Sequence, residues 1–192
     1  MRVKEIDKEE QIYKAALKLI FESGLMGLKM SVLAKEANVA TGTIYLYVKD
    51  KADLISKLNL YLMKQSLLDI NKNVLKKDPL KLKIKKSAYN YLIYSYLHPE
   101  YAAFFEQYYR SPYFETNNEL AEAENDILKP IYNLVAEGQQ QGIIKSVDAE
   151  MMVSMVCSIL DDFVNQTLYS KKGIDDAKWD ITFMMIWDAI KS

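Results

Sequence analysis

Residues Met30 to Lys51 read MSVLAKEANVATGTIYLYVKDK, and their apolar spacing describes two short helices crossed over a tight turn. Leu33, Ala34 and Ala37 give the first helix one buried side, and the small Ala34 lets a second helix cross closely. Asn38 makes the corner, because a helix commonly ends on a left-handed residue, usually Gly and next most readily Asn, and Val39 after it turns inward. Ile44 and Tyr47 continue the core side of the second helix. The remaining positions, Thr41, Gly42, Thr43, Tyr45 and Leu46, mix small, hydroxylated and aromatic side chains on a surface suited to close approach to DNA.

Working outward, Ala15-Ala16, Gly24, Val39, Gly42-Thr43-Ile44-Tyr45, Tyr47-Val48, Lys51 and Leu54 stand in one unbroken register. This pattern closely resembles the N-terminal signature of the TetR-type one-component transcriptional regulators, over roughly the first quarter of the chain. Three positions depart from it: Asn38 where the family usually has Gly, Ala40 where a Ser usually caps the recognition helix, and Lys29 where a Ser or Thr caps the helix before. A lost cap hydroxyl typically costs about 0.5 to 2 kcal/mol of local stability.

The resemblance implies an all-α protein, with a three-helix helix-turn-helix DNA-binding domain over 1–50 and a helical effector-binding and dimerisation bundle over 51–192. In such a head, Thr41, Gly42, Thr43 and Leu46 are expected to face base edges, while Lys29, Ser31, Tyr45, Tyr47, Lys49 and Lys51 hold phosphates. Tyr45, Tyr47 and Lys51 also lie where a partly structural role accounts for them.

Periodicity predicts helices along the whole chain and no strand. The first covers about Lys8 to Ser23, with Ile12, Ala15, Ala16, Leu19 and Ile20 at helical spacing and Gly24 as a left-handed cap. Asp50, with Asp53 three residues on, makes a start like a capping box for a helix whose stripe is Leu54, Leu58, Tyr61, Leu62, Gln65 and Leu68. Asp78-Pro79 restarts the chain, His98-Pro99 interrupts it, and a short helix runs to about Arg110. Helices then cover about Asn118 to Gln140, with Pro130 inside and Gly142 after, Ala149 to Tyr169, and Asp175 to Ile190.

The last two helices are apolar over much of their circumference. Met152, Met155, Val156 and Ile159 in one, with Phe183 and Trp187 in the other, are the expected homodimer interface, the arrangement the resemblance also implies. The alternative is that both faces lie inside a single core. A two-fold dimer meets a palindromic operator in double-stranded DNA, with its two heads roughly 34 Å apart to enter successive major grooves.

An aromatic concentration between these regions offers a site for a flat or apolar small-molecule effector. Tyr91, Tyr94, Phe104, Phe105 and Tyr108 are its candidate walls, and Gln107, Asp161 and Asn165 its polar groups. Core packing explains most of these residues equally well. His98, beside Pro99, reads as structural.

Net charge is −1 at pH 7, but the charges are segregated. Residues 1–90 carry 18 Lys and Arg against 10 Asp and Glu, whereas residues 91–192 carry 7 against 16. A basic N-terminal half attracts phosphates, so this polarity predicts which end meets nucleic acid. Much of the excess comes from Lys72, Lys76, Lys77, Lys81, Lys83, Lys85 and Lys86, which lie beyond the motif, and a solvated helix junction accounts for those equally well.

Other classes find little support in the residues. One His and one Cys provide neither a His- or Cys-rich metal site nor a redundant nucleophilic triad, so an enzyme is not expected and neither is a cofactor. The six Gly form no phosphate-binding loop. The lone Cys157 fits a reducing cytoplasm, and the longest uncharged run, Ser87 to Pro99, is too short and polar to span a bilayer, so no membrane contact is expected. A helical adaptor without DNA binding is the remaining alternative.

Overall fold

The computed structural model describes residues 2–114 and 118–192, and these form α1 (Arg2–Ser23), α2 (Met30–Glu36), α3 (Thr41–Ile44), α4 (Lys51–Ile70), α5 (Leu80–Leu97), α6 (Pro99–Tyr109), α7 (Asn118–Gln140), α8 (Ala149–Ser170) and α9 (Asp176–Ile190). The helices stop where the sequence contains stop signals. Gly24 (φ 79°) and Gly142 (φ 67°) adopt the left-handed conformation after α1 and α7, and Lys171 (φ 56°) does the same after α8. Asp148 and Asp175 cap α8 and α9 by accepting from the backbone N–H groups of Met151 and Lys178. The only pairing of extended backbone among the described residues is the isolated bridge between Ile144 and Lys191. None of the described helices is long and apolar enough to cross a membrane.

The chain divides into two compact units, residues 1–63 with 98–123, and residues 64–97 with 124–192. In the first, α1 packs on α2 and on α6, and α2 packs on α3. Ile12, Ala16, Ile20, Leu33, Ile44, Leu54, Ile55, Leu58 and Leu62 are buried together with Phe104 and Tyr108. The head expected to end at residue 50 therefore continues: the α4 stripe from Leu54 to Leu62 is part of its core, and α6 returns to complete it. Local periodicity cannot announce a partner helix so distant in sequence.

In the second unit α5 packs along α8, and α9 lies against α8. Leu92, Leu160, Phe163, Val164, Trp179 and Ile186 are its buried centre. Ion pairs tie its surface, Lys83 to Glu137 at 2.9 Å, Lys85 to Asp180 at 2.6 Å and Lys86 to Asp78 at 2.7 Å. This division corrects the charge argument. Residues 1–63 carry 10 Lys and Arg against 8 Asp and Glu, so most of the N-terminal excess lies over residues 64–90, where three of its lysines are engaged in these pairs.

Candidate nucleic-acid interface

The corner between α2 and α3 is a Schellman motif built on Asn38, whose φ is 51°. The N–H of Val39 donates to the carbonyl of Ala34 at 3.0 Å, and the N–H of Asn38 to that of Lys35 at 3.1 Å. These bonds satisfy two of the carbonyls that a helix end otherwise leaves open. Leu33, Ala34, Ala37, Ile44 and Val48 are all at most 3% exposed, so the pair is held by one continuous apolar seam. Lys29 and Ala40, at the starts of α2 and α3, make no side-chain cap, as expected from their chemistry.

The α-helix proper of the reader is only four residues long, Thr41–Ile44. Winding continues beyond it in tight turns, with Leu46 N–H donating to Thr43 O at 3.2 Å and Tyr47 N–H to Ile44 O at 2.9 Å. The next helix locks this turn in place. Asp53 Oδ2 accepts from the N–H of Lys49 at 2.7 Å while Asp50 Oδ1 accepts from the N–H of Asp53 at 2.9 Å, an arrangement like a capping box except that the return bond comes from the residue before the cap. Lys57 pairs with Asp53 at 3.0 Å and donates to the carbonyl of Tyr47 at 2.7 Å. Lys57 is a positioning residue absent from the sequence reading, although its place four residues after Asp53 on a helix was the signal for it.

Of the residues expected at DNA, Lys29, Ser31, Thr41, Gly42, Tyr45, Leu46 and Lys49 are exposed, whereas Thr43, Tyr47 and Lys51 are half-buried. Leu46 stands out at 81% exposed. The ammonium of Lys51 donates to the carbonyl of Met26 at 3.0 Å and lies 5.5 Å from the ring centre of Tyr113, so it braces the loop after α1.

Comparison with known proteins agrees with this geometry. A model of bacterial regulatory proteins of the tetR family matches residues 12–58, and a model of the tetracyclin repressor-like C-terminal domain matches residues 79–191. The fatty acid metabolism regulator protein of Bacillus subtilis (strain 168) is 32% identical over 189 residues, spanning 91% of this chain and 88% of that relative. The chain belongs to the TetR family. It is a DNA-binding transcriptional regulator. Among solved structures, a TetR family transcription regulator from Marinobacter aquaeolei VT8 superimposes with a TM-score of 0.89 at 20% identity, covering 100% of both chains. The transcriptional regulator FadR from Bacillus subtilis in complex with stearoyl-CoA superimposes with a TM-score of 0.69 at 26% identity, covering 92% of this chain and 96% of that one.

In this TetR-family chain the expected effector residues separate between the two units. Phe104 and Tyr108 are fully buried in the core of the first, their rings stacked at 5.7 Å, and are packing residues. Phe105 is half-buried beside them, and Gln107 is bonded to the backbone of Leu25. In the second unit, Tyr91 donates its hydroxyl to Asp161 at 2.7 Å, Tyr94 is buried and Asn165 is exposed. Burial first, with the neighbouring charges of Cys157 and Asp161, pushes the Tyr91 phenol up from its usual value. Two grooves of this unit, about 660 Å³ at the α8–α9 turn and about 470 Å³ beside Lys81, Leu82 and Phe183, contain none of Tyr91, Tyr94 and Asp161.

The expected dimer residues also divide. Met152 and Phe183 are 4% and 2% exposed within their own unit, so they have no surface left to give a partner. Met155 is exposed, and Val156, Ile159 and Trp187 are half-buried. Further exposed apolar residues on the same two helices are Met151, Ile181, Met184 and Met185.

Proposed function

We propose that this regulator is a cytoplasmic repressor that binds a palindromic operator as a homodimer and leaves it when a fatty acyl-CoA thioester binds. The observation that carries the DNA side is the α2–α3 pair: a rigid apolar seam on one side, and on the other Thr41, Gly42, Tyr45 and Leu46 exposed between Lys29 and Lys49. Thr41, Gly42, Thr43 and Leu46 take the base edges in this reading, with the lysines, Ser31, Tyr45 and Tyr47 on phosphates. Met155, Met184 and Met185, between 40% and 68% exposed, support pairing through α8 and α9, because flexible apolar side chains left in water favour association. The effector class rests on the relative named for fatty acid metabolism and on the similar chain seen with stearoyl-CoA.

Fluorescence anisotropy with the promoter fragment of its own gene tests the reading, alongside sedimentation at micromolar concentration. The expected results are a dimer, retention against random competitor at moderate salt, and release by stearoyl-CoA but not by free coenzyme A. Retention equal to that of random DNA overturns the operator, a monomer overturns the dimer, and an unchanged anisotropy with stearoyl-CoA overturns the effector.

A further inference from the structure

Gly42 is not required by the fold. Its backbone avoids the left-handed region, and a Cβ built on it meets no atom within 4 Å. Glycine nevertheless disfavours a helix relative to alanine, so a bare position on the exposed face of α3 is explained by something outside the chain that must come close. Four residues on, past the end of α3, stands Leu46, held by its N–H bond to Thr43 O and 81% exposed. The two together present a notch and an apolar knob.

Resting on the operator reading above, we propose that Leu46 is a specificity residue that packs on the C5-methyl group of a thymine in the major groove, and that Gly42 is bare so that the α3 backbone can approach closely enough for that contact. A leucine side chain has no donor or acceptor, so the feature of a base pair it can distinguish is the thymine methyl. Lys29 and Lys49, before and after this segment in the chain, are exposed and carry the charge that phosphate contacts beside a groove require.

The test uses the promoter fragment retained by the wild-type protein, with deoxyuridine replacing each thymidine in turn. Deoxyuridine lacks only the methyl group. At one position per half-site the affinity falls about fourfold, the value of one buried methyl-sized group, and in Leu46→Ala that penalty disappears while the other positions behave as before. Gly42→Ala keeps or raises the melting temperature and loses at least tenfold in operator affinity. The proposal is overturned if no deoxyuridine affects wild-type binding, if Leu46→Ala retains the same penalty, or if Gly42→Ala binds as the wild type does. Failure of the wild type to retain any fragment removes the operator reading itself, and this proposal with it.

Discussion

The backbone N–H of Leu25 donates to the side-chain carbonyl of Gln107 at 2.7 Å, joining residues 82 positions apart. Gln107 also donates to Ala103 O at 3.1 Å, so its amide is anchored on α6 while its oxygen holds the turn that follows α1. Leu25 is 1% exposed. No other acceptor is bonded to its N–H among the described residues.

Gln107→Ala is therefore expected to destabilise the protein by about 1 to 3 kcal/mol, the cost of a stranded buried donor. Gln107→Glu keeps the acceptor for Leu25 but loses the donor to Ala103 O, so it recovers part of it. Urea unfolding of both variants checks this, and equal losses would show that the amide matters through packing alone.

Asp53 gives a pH-dependent prediction. Partial burial works against its charge, but the N–H of Lys49 and the ammonium of Lys57 outweigh it and hold the carboxyl below its usual value. A depressed value means that the stabilisation is complete above the ordinary carboxyl range, near about 4, and is lost as pH falls through the folded-state value. Asp53→Asn should cost about 0.5 to 2 kcal/mol near neutral pH, with the difference from wild type closing as pH falls through the lowered folded-state value. Thermal melts across that range measure it.

How much of this was legible beforehand depended on the reach of the signal. Asn38, Gly24 and the Asp50–Asp53 start are local devices whose chemistry names their geometry, and each is realised. The ranges of α7, α8 and α9 followed from periodicity bounded by caps. What escaped was long-range. Nothing near Phe104 or Tyr108 declares that α6 packs on α1, so filled core positions resembled pocket walls. Met152 and Phe183 lie on helices apolar around most of their circumference, where periodicity cannot separate an inner face from an outer one. Charge summed by halves pointed to the right end on weak grounds, since Lys83, Lys85 and Lys86 belong to the second unit and pair with acids there.

Two glycines should respond oppositely to alanine. Where Gly42 faces open space, a Cβ at Gly138 would stand 2.5 Å from Ile144 Cδ1 and 2.8 Å from Leu80 Cδ2. Both neighbours are buried, at 2% and 6% exposed, and have little room to yield. Overpacking of this kind costs about 1 to 3 kcal/mol, more than the roughly 1 kcal/mol gained in helix propensity. Gly138→Ala should thus lower the urea midpoint, and an increase would mean that Ile144 repacks freely.

Cys157 should be chemically silent. Burial, with the charge of Asp161 added and the Tyr91 bond working against, pushes its thiol up to about 12. Only about one part in ten thousand is then thiolate at pH 8, and the thiolate is the nucleophile. An aromatic disulfide reagent should leave the native protein unmodified and titrate one thiol in urea. Rapid native reaction would mean that α8 opens at this point.

Lys49 and Lys51 are close in sequence yet predict different phenotypes. The Lys49 side chain is exposed, its backbone N–H bonds Asp53, and its ammonium adds only a charge attraction to the same carboxylate. Lys49→Ala should weaken binding to every duplex alike, reduce the slope of log affinity against log salt by about 0.9 per protomer, or about 1.8 for the two phosphates lost by a dimer, and shift the melting temperature only slightly. Lys51 braces Met26 and Tyr113, so Lys51→Ala should also lose about 0.5 to 1.5 kcal/mol of stability, the net worth of an ordinary hydrogen bond. Salt titrations of DNA binding together with urea melts separate the two effects. A Lys51→Ala slope equal to wild type would assign this side chain wholly to the loop after α1 and leave the phosphates to Lys29 and Lys49.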